Sequence, residues 1–365
     1  MQKHFNTAGP IIPEDHYCID PIHRLEWEEV RFLIDAKKYF VLHAPRQTGK
    51  TSTLLSMMRL LNEEGKYQTL YVNIEAAQAA REEVTMGLTI VCQTIAARAR
   101  DYKLETKLPA LAQSVLANTD AGTALTELLS RWAQISDKPI VLMLDEVDSL
   151  VGDTLISLLR QIRAGYAQRP ESFPQSIILC GVRDVRDYRI INAHKEIITG
   201  GSAFNIKAES LRLGNFSFDE VQRLYQQHTD ETGQLFEASI FHELWQDSYG
   251  QPWLVNALGH EMVWKDKQAR DRSTSITLQR YQAARDRLIR SRATHLDQLA
   301  YQLRERRVHT VIAAILAGKT QVEGLKADDL QYVEDLGLIR TQPQIVISNR
   351  IYQEIIPREI TLYWN

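Results

Sequence analysis

Cysteine is scarce in this chain: Cys18, Cys92 and Cys180 are its only three, far apart among 365 residues. That spacing excludes a disulfide framework and a cysteine-ligated metal, and fits small core residues in a reducing compartment. The ten histidines are scattered, with no H-x-x-x-H pair to suggest a metal site. His43 reads as a packed residue. A large excess of charge of one sign is missing too. Lys and Arg number 43 against 46 Asp and Glu, a formal net charge of −3, so no whole-molecule attraction to nucleic acid or acidic membrane is implied. No apolar run approaches a membrane span and no signal core opens the chain, so a cytoplasmic location is expected. What remains is an ordinary soluble composition, 44% hydrophobic and 24% charged, long enough for two or three domains.

Against that plain background one stretch stands out. Tyr39-Phe40-Val41-Leu42 reads as a buried strand, and the segment from Thr51 to Leu61 has helical spacing. Between them runs Ala44-Pro45-Arg46-Gln47-Thr48-Gly49-Lys50-Thr51, followed by Ser52. This is the phosphate-binding loop G-x-x-x-x-G-K-[ST], with Ala44 in place of the first Gly. Loop N–H groups and the helix N-terminus cradle phosphate oxygens. Gly49 leaves room for close approach, Lys50 supplies a point charge to the β- and γ-phosphates, and the Thr51 hydroxyl is placed for Mg²⁺.

A second segment complements it. Pro139-Ile140-Val141-Leu142-Met143-Leu144-Asp145-Glu146 is an apolar run ending in two carboxylates, the pattern of a strand buried on both faces of a parallel sheet. Asp145 is expected to hold Mg²⁺, and Glu146 to polarise the attacking water. A further strand, Gln68 to Glu75, lies between the two motifs in sequence. That order, with Glu146 after Asp145, resembles the additional-strand, catalytic-Glu division of P-loop NTPases, and argues for hydrolysis over phosphoryl transfer to a metabolite.

The remaining pattern sets out the organisation. Residues 79–133 read as largely helical with a break near Leu108-Pro109, and 153–166 as another helix. The strand Gln175 to Gly181 is expected between the other two motif strands, which makes Arg183, just past its end, the candidate γ-phosphate sensor. Arg160 and Arg163 are lower-ranked alternatives, and Arg186 follows nearby. From 206 to 290 only helices are expected. Ser217-Phe218-Asp219-Glu220 forms a capping box, flanked by Phe216 and Val221. One helix ends at Gly250, and Pro252 suits the first position of the next. Helices over 294–304, 306–316 and 327–335, a hairpin turning at Gln342-Pro343-Gln344, and a last helix from Asn349 follow the order of a winged helix.

Five pieces of sequence resemble the STAND-type, AAA-related P-loop ATPases, in particular the bacterial and archaeal branch with a terminal winged helix. They are Tyr17 to Arg24, Ala44 to Thr51, Ile140 to Glu146, Cys180 to Asp184 and Tyr249 to Asn256. The resemblance implies an α/β P-loop core with a parallel five-stranded sheet, then an all-helical lid and a C-terminal winged helix. The expected divisions are an arm over 1–29, the core over 30–205, the lid over 206–292 and the winged helix over 293–365. It implies ATP or ADP with Mg²⁺ between core and lid, slow hydrolysis, and a conformational switch acting through a protein partner or self-assembly. It also implies that the Pro of a Gly-x-Pro, here Gly250 and Pro252, packs near adenine or closes the lid. Arg24, Glu26 and Glu28 loosely match the arm residues that read the nucleotide.

Two other readings stay open. One is a DNA-binding, initiator-like ATPase, since residues 280–307 carry eight Arg against three acids. The helix expected to enter a groove, Ala327 to Asp335, is itself acidic, which opposes phosphate binding. The other is a non-hydrolysing, ADP-bound scaffold for a separate effector.

Overall fold

Five strands form one parallel sheet: β1 (Tyr39–His43), β2 (Gln68–Asn73), β3 (Ile140–Asp145), β4 (Ser176–Gly181) and, after two short ones, β7 (Lys207–Arg212). Their order is β2-β3-β4-β1-β7, and every pairing is parallel. The computed structural model describes residues 2–184, 189–191, 197–199, 204–291, 299, 301–318 and 324–363. β4 lies between β3 and β1, as expected. All residues of β1, β3 and β4 are buried, which explains their unbroken apolar runs: helices cover both faces of the sheet.

Strand alternation divides the apolar side chains between two layers. Val41, Leu70, Val72, Leu142, Leu144, Ile177 and Leu179 join one core with α3 (Val84–Asp101), α4 (Leu108–Asn118), α5 (Ala121–Ile135) and α6 (Gly152–Ala164). Phe40, Leu42, Tyr71, Val141, Met143 and Ile178 face the other way, toward α1 (Trp27–Asp35) and α2 (Lys50–Glu64). The expected helical break near Leu108-Pro109 is present, with Pro109 in the first turn of α4, where its missing N–H costs nothing.

The assignment of helices alone from residue 206 is corrected by β7, which extends the sheet to residue 212. Its sequence, Lys-Ala-Glu-Ser-Leu-Arg, carries no apolar run because it pairs on one side only, with β1. β5 (Arg189–Ile191) and β6 (Ile197–Thr199) form a short antiparallel pair.

The described chain divides into two compact units. One comprises residues 21–44 and 50–213, and holds the sheet. The other comprises residues 1–20, 45–49 and 214–365. The latter contains α7 (Phe218–Thr232), α8 (Ser239–Ser248), α9 (Pro252–His260), α10 (Leu278–Arg290), α11 (Arg306–Leu316) and α12 (Ala327–Asp335). An antiparallel pair, β8 (Ile339–Arg340) and β9 (Val346–Ile347), and then α13 (Arg350–Tyr363) complete it. The expected capping box opens α7, with both Ser217 and Glu220 hydrogen bonds formed. The helix expected over 294–304 lies mostly outside the described residues.

Phe5 and Tyr17, in the segment expected as an N-terminal arm, are buried in the core of this helical unit. The Tyr17 hydroxyl donates to Glu231 at 2.6 Å, and Trp253 Nε1 donates to the Thr7 carbonyl at 3.0 Å. A Cβ at Gly259 would come within 2.7 Å of the Phe5 ring, so Gly259 makes room for that aromatic.

Candidate active site

β1 ends at His43 and α2 starts at Lys50, so the six residues Ala44 to Gly49 make the turn. Two of them are left-handed, Gln47 at φ +58° and Gly49 at φ +95°. Left-handed residues in such a turn orient successive N–H groups into an anion-binding concavity. Ala44 is not among the positive-φ residues, and this explains why the first loop position tolerates a side chain. It is fully buried, and its N–H donates to the Gly181 carbonyl at the end of β4. Thr48 Oγ1 donates to the Pro45 carbonyl at 2.7 Å, which tightens the loop. Arg46 is exposed, whereas Ser52 is buried on α2.

Lys50 is buried at 6% exposure, and its ammonium donates to the Ala44 carbonyl at 2.9 Å. Thr51, one residue along α2, donates its hydroxyl to Oδ2 of Asp145 at 2.8 Å. Asp145 closes β3 and is fully buried. Burying a carboxylate is costly unless donors surround it; the Tyr71 hydroxyl reaches the same Oδ2 at 3.0 Å, and the Glu146 N–H reaches Oδ1 at 2.9 Å. The Tyr71 phenol is held well above its usual pKa, first by burial and then by the Asp145 charge. Cys180 on β4 is shifted upward by the same two causes in the same order.

Glu146 follows in the left-handed region at φ +60°, a conformation that costs a non-Gly residue about 1–2 kcal/mol. It turns the chain sharply at the carboxyl end of β3. Arg183 stands two residues beyond β4, the strand between β1 and β3. The preceding Val182 N–H donates to Asp148 Oδ2 at 3.4 Å, which joins the ends of β3 and β4.

The fold thus brings Ala44, Lys50, Thr51 and Asp145 together, with Glu146 next to them in the chain. Arg160 and Arg163 are exposed on α6; Arg160 lines a surface cavity of about 540 Å³ with α5 residues such as Thr123 and Thr126. Arg186 lies outside the described residues. Glu26 and Glu28 are exposed at the start of α1. Pro252 is at the first position of α9, in the helical unit.

Three further residues with defined side-chain hydrogen bonds were missed by sequence reasoning. Tyr71 and Asp148 carry no motif signal, because only the sheet order brings them to Asp145 and Val182. Gln251 does have one, as the residue just before a helix-opening Pro: its Oε1 accepts from the Leu254 N–H at 2.6 Å as the N-cap of α9.

A hydroxyl and a carboxylate meeting at one point form the hard-oxygen donor set that suits Mg²⁺, which takes one or two carboxylates and completes its shell with water and phosphate. Among the described residues no cluster of three or more His, Cys, Asp or Glu could hold a metal alone. Also among them, no helix is long and apolar enough to cross a membrane.

A family model described as an AAA-like domain matches residues 30–356, and the chain belongs to that family. Among solved structures it is similar to the Walker-type ATPase PABY2304 of Pyrococcus abyssi, at 15% identity, a TM-score of 0.62, and coverage of 97% of this chain and 99% of that one. It is also similar to the ORC2 protein of Aeropyrum pernix, solved as ADPNP–ADP complexes, at 15% identity, a TM-score of 0.50, and coverage of 92% and 93%. At these identities the similarity is one of fold. No curated protein matches the sequence.

Proposed function

We propose that this AAA-like chain binds and slowly hydrolyses ATP with Mg²⁺, and that the nucleotide state sets its conformation, as in STAND-type switches. The observation that carries the reading is the meeting of Thr51 and Asp145 beside Lys50 at the carboxyl end of a parallel sheet, the edge where such sheets bind ligands.

Each residue has a definite task in this reading. Loop amides from Arg46 to Thr51 bind phosphate oxygens, and Lys50 exchanges the Ala44 carbonyl for a phosphate. Thr51 and Asp145 would hold Mg²⁺, which would supply positive charge against the phosphates. Glu146 orients water and takes its proton for in-line attack, and Arg183 senses the γ-phosphate. The reading treats α7–α10 as a lid, with Pro252 near the base. It treats α11, α12, β8, β9 and α13 as a winged helix whose position follows the nucleotide.

The output in this reading is a protein partner or a second copy, in the cytoplasm. Groove binding to DNA is disfavoured by ion pairing within the fold. Arg280, Arg285, Arg287, Arg290 and Arg307 pair with Asp266, Asp247, Glu261, Asp286 and Asp329, and α12 presents Asp328 and Asp329 in its first turn.

The test is ATP turnover at several protein concentrations, for wild type, Lys50→Ala and Glu146→Gln. Turnover that requires both residues supports the reading, and a specific rate that rises with concentration supports assembly. Retained nucleotide without turnover favours the ADP-bound scaffold. Salt-dependent binding to duplex DNA would restore the initiator reading.

A further inference from the structure

Gln251 does more than cap a helix. It is 6% exposed, and both ends of its amide are engaged. Oε1 accepts from the Leu254 N–H at 2.6 Å, while Nε2 donates to the Gln47 carbonyl at 3.3 Å. The amide orientation is not arbitrary. Leu254 N–H can only donate and the Gln47 carbonyl can only accept, so the oxygen must face Leu254 and the nitrogen must face Gln47. Gln251 and the loop residues 45–49 belong to the same compact unit. That unit approaches the loop at a second point, where a Cβ on Gly337 would come within 2.9 Å of the Pro45 ring.

The chain around Gln251 is rigid. Gly250 has φ +71°, and a Cβ there would lie 2.0 Å from the Phe216 carbonyl oxygen. The Gly250 carbonyl in turn accepts from the Phe216 N–H at 2.9 Å. Pro252 then fixes the backbone on the other side. Gln251 therefore projects from a backbone with little freedom.

On the other side of the bond, Gln47 occupies a left-handed conformation that is unfavourable for a glutamine. In a trans peptide the carbonyl of one residue and the N–H of the next point in opposite directions. Holding the Gln47 carbonyl therefore fixes the direction of the Thr48 N–H, one of the loop donors.

We propose that Gln251 is a positioning residue for nucleotide binding, its side-chain amide holding the Gln47–Thr48 peptide in the orientation that presents the Thr48 N–H to phosphate. This rests on the nucleotide-binding reading above and adds to it. The middle residue of the Gly-x-Pro sets the phosphate loop, so loop order and the N-terminus of α9 are linked through one side chain.

Two variants separate the bridge from the cap. Gln251→Ser keeps an N-cap acceptor but cannot reach Gln47. Gln251→Glu keeps the acceptor and the length but loses the donor, placing a carboxylate against a carbonyl. The measurement is titration of the full chain with a fluorescent ATP analogue, together with KM, kcat and a thermal melt. The Ser variant is expected to melt close to wild type and bind roughly five-fold more weakly, the worth of one hydrogen bond. KM should rise while kcat changes little, since Gln251 touches no reacting atom. The Glu variant is expected to weaken binding by at least about ten-fold. Wild-type affinity in both variants, even with a lowered melting temperature, overturns the proposal and leaves Gln251 a helix cap. A wild-type chain that binds no nucleotide overturns the functional reading itself, and this proposal with it.

Discussion

Thr51 and Asp145 lie 94 residues apart in sequence and share a 2.8 Å hydrogen bond, the hydroxyl donating to Oδ2. The bond joins the first turn of α2 to the last residue of β3, so the two nucleotide motifs meet through side chains. Thr51→Val keeps the shape but removes the donor. Nucleotide affinity should then lose its dependence on Mg²⁺, while Thr51→Ser restores it. Titration with a fluorescent nucleotide in Mg²⁺ and in EDTA checks this; an unchanged Mg²⁺ dependence in the Val variant would remove Thr51 from the metal site.

Glu146 follows Asp145 at φ +60°. Glu146→Gln should keep nucleotide binding and slow hydrolysis by about 10²–10⁴-fold, the usual contribution of a positioned general base. Turnover at the wild-type rate would exclude Glu146 as that base.

Lys50 donates to the Ala44 carbonyl at 2.9 Å. Lys50→Ala should abolish detectable nucleotide binding by removing the buried charge proposed to meet phosphate. Calorimetric titration with ATP is the check, and retained affinity would contradict the phosphate role.

Asp247, on α8, is almost fully buried in the helical unit and ties that helix to two others, α10 and α13. On its Oδ2 it accepts from the Tyr281 hydroxyl at 2.7 Å and lies 3.0 Å from Arg285 Nε, with Arg350 3.8 Å from Oδ1. Arg285 also pairs with Glu354, and Arg350 with Glu243. Asp247→Ala leaves buried donors without their acceptor, so a loss of about 3 kcal/mol is expected. Glu243→Ala, at a more exposed pair, should cost under about 1 kcal/mol. Chemical denaturation of both variants measures the difference; equal losses would show that the buried network is not the anchor.

His228 is buried between the Tyr17 hydroxyl at 3.1 Å and Gln234 at 2.9 Å. Burial holds its pKa below the ordinary imidazole value, against the opposing hydrogen bond to Gln234, and the nearby Arg272 charge adds to the lowering. The fold therefore favours neutral His228, and as pH falls the unfolded chain takes the proton first. Its stabilising contribution is complete above about pH 6.5 and is lost as pH falls through that value toward the folded pKa. His16 and His260 are shifted the same way, chiefly by burial. The melting temperature should fall below about pH 6.5, less steeply in His228→Gln. An identical pH slope in that variant would clear His228.

The central strands were legible in the sequence because burial on both faces demands unbroken apolar runs, as in Ile140 to Leu144. The phosphate loop was legible because its chemistry depends on local backbone and a few fixed residue types. Helix boundaries at Ser217 and Pro252 could be read for a similar reason, since caps and first-turn prolines act within a few residues. β7 could not be read. An edge strand paired on one side needs no apolar run, and only its partner β1 makes it a strand.

Sequence alone determined the type of nucleotide module, through the spacing of Gly49, Lys50 and Thr51 and through the apolar run ending in Asp145. Tertiary structure decided which unmarked side chains hydrogen-bond to its residues. Tyr71 reaches Asp145 because β2 lies beside β3, and Gln251 reaches Gln47 across 204 positions of chain. The physical reason is range: motifs and caps act over a few residues, whereas a buried carboxylate or a strained peptide takes its hydrogen-bond partners from whatever the fold packs beside it.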